Sequence, residues 1–209
     1  DDEAYRIIRG RPLLDTKLKA MDNLTDLDIP VDLVMTILAG VNDKEISALL
    51  DYGVRRKNVK EIFFLGCRML GKAVGHFEKE QLMPDQVVDM VERATNGRVG
   101  REHVRRMQKL YFTFLSIFGV RKCLYVQHYL LFRNKAADNY TTLDEVVDMA
   151  RLEPCLERYR SRHSSGKFSA ALRLALEAAP LFLRPRPMRL MGDLFALNLM
   201  MALGFNLRR

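Results

Sequence analysis

Phe63-Phe64-Leu65-Gly66-Cys67-Arg68-Met69-Leu70-Gly71 is an apolar run that stops on a glycine, and two other runs do the same. They are Tyr111-Phe112-Thr113-Phe114-Leu115-Ser116-Ile117-Phe118-Gly119 and Ala196-Leu197-Asn198-Leu199-Met200-Met201-Ala202-Leu203-Gly204. Ser47-Ala48-Leu49-Leu50-Asp51-Tyr52-Gly53 is a looser copy, and its Val54-Arg55-Arg56-Lys57 tail echoes Val120-Arg121-Lys122. Helices commonly end on glycine because it adopts the left-handed conformation without strain. Recurrence of the pattern predicts a helical repeat protein, and with it a binding or scaffolding surface rather than a catalytic cleft.

Outward from the first run, Val59, Ile62, Phe63, Cys67, Leu70 and Val74 recur at three- and four-residue steps, which predicts a helix over 58–77. Upstream, Asp28 and Pro30 suit a helix start, and Val31, Val34, Met35 and Leu38 form a face ending at Gly40. Asn42-Asp43 opens the next helix, which closes at Gly53. Further helices are expected at Met83–Val91, Gly100–Phe118, Val120–Arg133, Phe168–Ala179 and Met188–Leu203. Thr142-Leu143-Asp144-Glu145 has the form of a capping box, and Pro154 breaks that helix or starts another. Arg158–Lys167 reads as an exposed loop. No segment alternates with period two for long enough to predict a strand. The expected fold is all-α, a right-handed stack of helical hairpins (an α-solenoid or irregular helical repeat bundle). It occupies 29–209 behind an extended basic arm at 1–28, where Arg6-Ile7-Ile8-Arg9-Gly10-Arg11-Pro12 leads.

The chain has 209 residues, 48% apolar and 29% charged, which suits a globular domain with a real core. Its 34 Lys+Arg against 26 Asp+Glu give a net charge of +8, which favours polyanionic partners. RNA, DNA, acidic proteins and membrane surfaces share that chemistry, and no DNA specificity is evident. Cys67, Cys123 and Cys155 are an odd set without paired spacing, so a reducing compartment is expected and Cys67 should be a buried thiol. No apolar run reaches the length of a membrane span. The chain opens at Asp1-Asp2-Glu3, so any targeting signal would lie upstream.

Catalytic constellations are missing from the sequence. His76, His103, His128 and His163 are dispersed, and only Cys123 with His128 approaches ligand spacing, which leaves no metal site. Ser164-Ser165-Gly166-Lys167 lacks the leading glycine and strand of a phosphate loop. Neither an enzyme nor a cofactor is expected. The basic clusters carry the functional reading. Arg55, Arg56 and Lys57 follow one glycine, and Arg121 and Lys122 follow another. Arg98, Arg101 and Arg105 lead the aromatic helix, with Arg101, Arg105 and Lys109 on one face. In stacked units such turns would align into a stripe that tracks phosphates. Phe63, Phe64, Tyr111, Phe112, Phe114 and Phe118 fit core packing, whereas Tyr5, Tyr140 and Tyr159 have polar neighbours and should be exposed.

The phrase running from an aromatic residue through Leu or Met to Leu-Gly and a basic turn resembles the helical repeats of octotricopeptide and FAST-kinase-like organellar proteins. Phe112 to Arg121, Phe64 to Gly71 and Leu197 to Asn206 carry the resemblance, without the Trp common in such repeats. It implies a mitochondrial matrix protein, a non-catalytic subunit of a ribonucleoprotein that binds RNA through a basic edge and protein neighbours through apolar faces. The competing expectation is a purely structural subunit of a respiratory or ATP-synthase-type assembly, with membrane contact left open.

Overall fold

The computed structural model describes residues 1–67, 82–117, 126–134, 139–162, 167–182 and 194–200. Helices α1 (Asp2–Arg9) and α2 (Leu14–Asp26) precede strand β1 (Val31–Ile37), and α3 (Ile46–Arg55) leads to β2 (Val59–Gly66). Then come α4 (Pro84–Ala94), α5 (Arg101–Ile117), β3 (Val126–Asn134), β4 (Asn139–Thr142), α6 (Leu143–Val146), α7 (Met149–Arg162), α8 (Lys167–Phe182) and β5 (Leu194–Met200). The strands form one sheet in the order β1-β2-β5-β3-β4. β1, β2 and β5 run parallel, while β3 runs antiparallel to both β5 and β4.

The all-α expectation, with its right-handed stack of helical hairpins, is therefore overturned: the chain is mixed α/β. The run 58–77 begins as β2, and the faces expected to be helical at Val31–Leu38, Val120–Arg133 and Met188–Leu203 contain β1, β3 and β5. The cause is physical. A strand with apolar residues on both sides shows apolar positions at every spacing, including three and four, so periodicity cannot separate it from a buried helix. β2 shows its true period in burial: Ile62, Phe64 and Gly66 are buried, and the intervening Phe63 and Leu65 are only partly so. The glycines do not mark repeats either. Gly53 lies within α3, Gly40 follows a strand, and Gly71, Gly119 and Gly204 fall outside the described residues.

The arm expected to be extended over 1–28 is instead two helices. Asp1 caps α1 by accepting a hydrogen bond from the Ala4 N–H at 2.8 Å, and Gly10 ends it at φ 75°. Several local expectations hold. Pro84 opens α4, and α5 begins right after Gly100. At α6 the Thr142 N–H donates to Glu145 Oε2 at 2.8 Å, as a capping box requires. Pro154 sits inside α7, and α7 carries the start of the expected Arg158–Lys167 loop as helix.

Helices α3, α4, α5 and α6 pack against one face of the sheet. An added Cβ on Gly53 of α3 would come within 2.8 Å of Ile62 and 3.5 Å of Leu33, so those side chains point at α3. Val87 of α4 meets the Gly66 backbone in the same way. His103 of α5 stacks edge-on against Tyr129, with ring centroids 6.3 Å apart. The Tyr129 hydroxyl donates to Asp144 of α6 at 2.7 Å. Burial and the neighbouring carboxylate both push that phenol far above its ordinary range, so it remains a donor. Ile37, Ile62, Phe64, Tyr129 and Leu131 make the floor of this core, and Val87, Val91, Val104 and Leu152 belong to its helical side. Tyr140 and Tyr159, expected to be exposed, are buried in it.

Arg133 ties β3 to the turn between α3 and β2. Its Nε donates to the Val54 carbonyl at 3.0 Å, and Nη2 donates to the carbonyls of Gly53 and Val59. The buried guanidinium thus closes the carboxyl end of α3 and the start of β2 together.

Candidate functional site

Register and alternation define the other face of the sheet. Leu33 pairs with Ile62 and Met35 with Phe64, on the helix side; Asp32 pairs with Glu61, Val34 with Phe63 and Thr36 with Leu65, on the opposite side. Val34 is 60% exposed and Asp32 is exposed too, while Thr36, Glu61, Phe63 and Leu65 are half-buried. Among the described residues, every helix contact assigned above falls on the first face. Further along the same face Phe132 and Thr141 are buried, so among the residues whose burial is described the open stretch lies on β1 and β2. Parallel strands are ordinarily covered on both sides, which makes this apolar face unusual for a finished surface.

β1 is also the edge strand. The Val31 N–H donates to the Asn58 carbonyl at 2.9 Å, and the Ile37 carbonyl accepts from the Cys67 N–H at 3.0 Å. Odd-numbered residues of β1 therefore turn their backbone groups to β2, and Asp32, Val34 and Thr36 turn theirs outward. The buried Asn42 closes the carboxyl end of that edge. Its Nδ2 donates to the Thr36 carbonyl at 2.9 Å, and its Oδ1 accepts from the Leu38 N–H at 2.8 Å. One side-chain amide thus does what a neighbouring peptide group would do. Gly40, at φ 75°, makes the turn that brings Asn42 back, and its N–H donates to Asp43 Oδ1 at 2.9 Å. Cys67 directly follows β2, buried as expected and not in a disulfide, and not within a helix.

The described cations among those expected to meet phosphate make contacts within the chain. Arg56 stacks 3.8 Å over the Tyr52 ring and reaches Asp22 at 3.3 Å; Lys57 pairs with Asp28 at 3.2 Å; Arg55 is also engaged. Arg98 grips Glu145 at 3.1 Å, donates to the Tyr140 carbonyl and stacks on the Tyr140 ring. Arg101 forks onto Asp89 at 2.7 and 2.8 Å, Arg105 onto Glu102, and Lys109 reaches Glu157 of α7 at 2.6 Å. Arg106, between them, bridges Asp144 and Glu153. Arg121 and Lys122 lie outside the described residues. The face shared by Arg101, Arg105 and Lys109 is real, but in this fold it laces α5 to α4 and α7.

These contacts predict an acid limb. Hydrogen bonds from Arg101, Arg105 and Lys109 hold Asp89, Glu102 and Glu157 below the usual carboxylate range. Burial raises Glu145, but the Arg98 fork and the Thr142 N–H outweigh it and leave it lowered. A carboxylate with a depressed folded pKa stabilises above its unfolded value, about 4, and loses that stability as pH falls through the folded one. The thermal midpoint should fall from about pH 4.5 downward, and Arg101→Gln should make the fall shallower. An identical slope in the variant would show that Asp89 gains nothing from Arg101.

Sequence reading missed the open face because Val34, Phe63 and Leu65 were assigned to helices. The available signal was local: β-branched Val31, Val34, Thr36 and Ile37 crowd β1, followed within a few residues by glycine and asparagine. A second apolar feature lies on α8, where Phe168 is 84% exposed and Leu172 and Leu176 follow at four-residue steps. No described helix is long and apolar enough to cross a membrane. No protein-family model matches the chain, and no curated protein matches it significantly in sequence.

Proposed function

We propose that this protein is a binding subunit of a larger assembly, and that its working surface is the open sheet face of β1 and β2. The observation that carries the reading is Val34, a valine 60% exposed in the middle of a parallel ladder whose opposite face packs against helices. Covering Val34, Phe63 and Leu65 gains about 25 cal/mol per Å² of apolar surface removed from water. A protein neighbour supplies that cover. Among the described cations Arg56, Lys57, Arg98, Arg101, Arg105 and Lys109 pair with carboxylates within the chain, and the reading rests on apolar surface rather than on phosphate contacts. The pieces that resembled organellar RNA-binding repeats also share no common helical unit: Phe64 to Gly71 and Leu197 to Asn206 both begin in strands, and Phe112 to Arg121 begins in α5.

The test uses the full chain, tagged and expressed in its native cells. It should sediment with a larger particle that survives ribonuclease treatment. Val34→Lys should release it, while changing the stability of the purified chain by no more than about 0.5 kcal/mol, as expected of a surface substitution. A particle that dissolves on ribonuclease treatment would favour RNA as the bridging partner. Val34→Lys remaining in the particle would place the contact elsewhere.

A further inference from the structure

Resting on that reading, we propose that the protein neighbour adds a β-strand to the outer edge of β1, parallel to it and beneath α2. Three features select this occupant. The first is the edge itself: Asp32, Val34 and Thr36 present N–H groups, and Asp32 and Val34 present carbonyls, away from β2. This array accepts an extended backbone and nothing bulkier. The Asn42 amide already occupies the Thr36 carbonyl, so the added strand ends there.

The second feature is α2. Leu14, Leu18, Met21 and Leu24 recur along one side of it, yet the helix has no fully buried residue, and Leu18 is exposed. Its amino end is tied to α1, where the N–H groups of Leu13 and Leu14 donate to Asp2 at 2.9 Å. The start of α1 lies 3.6 Å from Glu45, beyond the carboxyl end of β1. The other end of α2 lies by the amino end of β1, where Asp22 meets Arg56 and Thr25 meets Asn58. α2 thus runs from the carboxyl end of β1 back to its amino end, and Met21 packs against the core on the helix-covered side, which suits a crossover helix between two parallel strands. A strand added parallel to β1 would fill the place beneath it and bury its half-covered stripe.

The third feature is charge. Asp32 lies exposed at the amino end of the edge, in register with Glu61. A second copy of β1 added in parallel register would set Asp32 against Asp32, which is unfavourable, so the occupant is a different chain. Its chemistry follows: an extended segment, apolar at alternate positions toward α2 and toward Val34, with Lys or Arg beside Asp32.

The experiment places the photo-crosslinking residue p-benzoylphenylalanine singly at Val34, Leu18 and Phe63 in the full chain within its native particle, and maps the adducts by mass spectrometry. Val34 and Leu18 should react with alternate residues of one extended segment of another protein. Asp32→Lys should cut both yields at least tenfold, and so should Val34→Pro, which removes an outward-facing N–H. Adducts of Val34 with a helix or loop, and none from Leu18 to that segment, would overturn strand addition while leaving a covered face. Adducts only to a second copy of this chain would also overturn it. Absence of adducts at Val34 and Phe63 alike would overturn this inference and the binding-subunit reading together. Asp32→Lys leaves the backbone unchanged, so it decides the matter even if the proline variant unfolds.

Discussion

Arg133→Met should lower the thermal midpoint by roughly 10 °C, from a loss of about 3 kcal/mol at about 2–4 °C per kcal/mol for a domain of this size. Arg133 is only 7% exposed and donates to the carbonyls of Gly53, Val54 and Val59. The first two belong to the last turn of α3, where carbonyls have no partner within the helix. Methionine keeps much of the side-chain volume but offers no donor; the Gly53 carbonyl keeps the Arg56 N–H at 3.2 Å, whereas those of Val54 and Val59 lose the guanidinium at about 1–3 kcal/mol each before relaxation. Local opening of the α3–β2 turn lets water recover part of that cost. Arg133→Lys should rescue little, because one ammonium cannot reproduce the planar fork. Scanning calorimetry of the three proteins checks this. A drop below about 3 °C for Arg133→Met would show that the carbonyls find other partners and that Arg133 is not the joint between α3, β2 and β3.

Phe64→Ala should cost about 3–5 kcal/mol, whereas Phe63→Ala next to it should cost less than half as much. Phe64 is wholly buried on the helix-covered face and pairs in register with Met35 on one side and Leu199 on the other. Removing its ring leaves a cavity bounded by the sheet, where backbone hydrogen bonds limit collapse. Phe63 stands on the open face, already in partial contact with water, and loses less. The contrast between adjacent residues belongs to a strand. In the helix expected over 58–77, Phe63 and Phe64 would sit on neighbouring sides of one apolar stripe and cost similar amounts. Chemical denaturation of both variants decides it, and equal losses would contradict the assignment of β2.

What the sequence made legible was local. The capping box at Thr142 and Glu145, Pro84 at the start of α4 and the basic lead-in to α5 each depend on residues within a turn of one another. What it hid depends on tertiary context. Phe63 and Phe64 carry the same hydrophobicity, and only the packing of α3 and α4 on one side of β2 makes one a core residue and the other a surface residue. Arg98, Arg101 and Arg105 looked alike as exposed cations. Their partners Glu145 and Asp89 come from other elements, and only Glu102 is a neighbour in sequence. Arg133 ended an expected helix, and nothing local announced that it would be buried against backbone carbonyls more than seventy residues away. The open face was the least legible feature, because it is defined by which helices do not lie over it.

The central claim is that the face bearing Val34 and Phe63 is open to water at Val34 and partly so at Phe63 in the chain itself, and covered in its assembly. Hydroxyl-radical footprinting reads this residue by residue. In the purified chain Val34 and Phe63 should be oxidised readily while Ile62 and Phe64 are spared, and in the native particle Val34 and Phe63 should become as protected as Phe64. Protection of Val34 already in the purified chain, or its continued oxidation in the particle, would contradict the account.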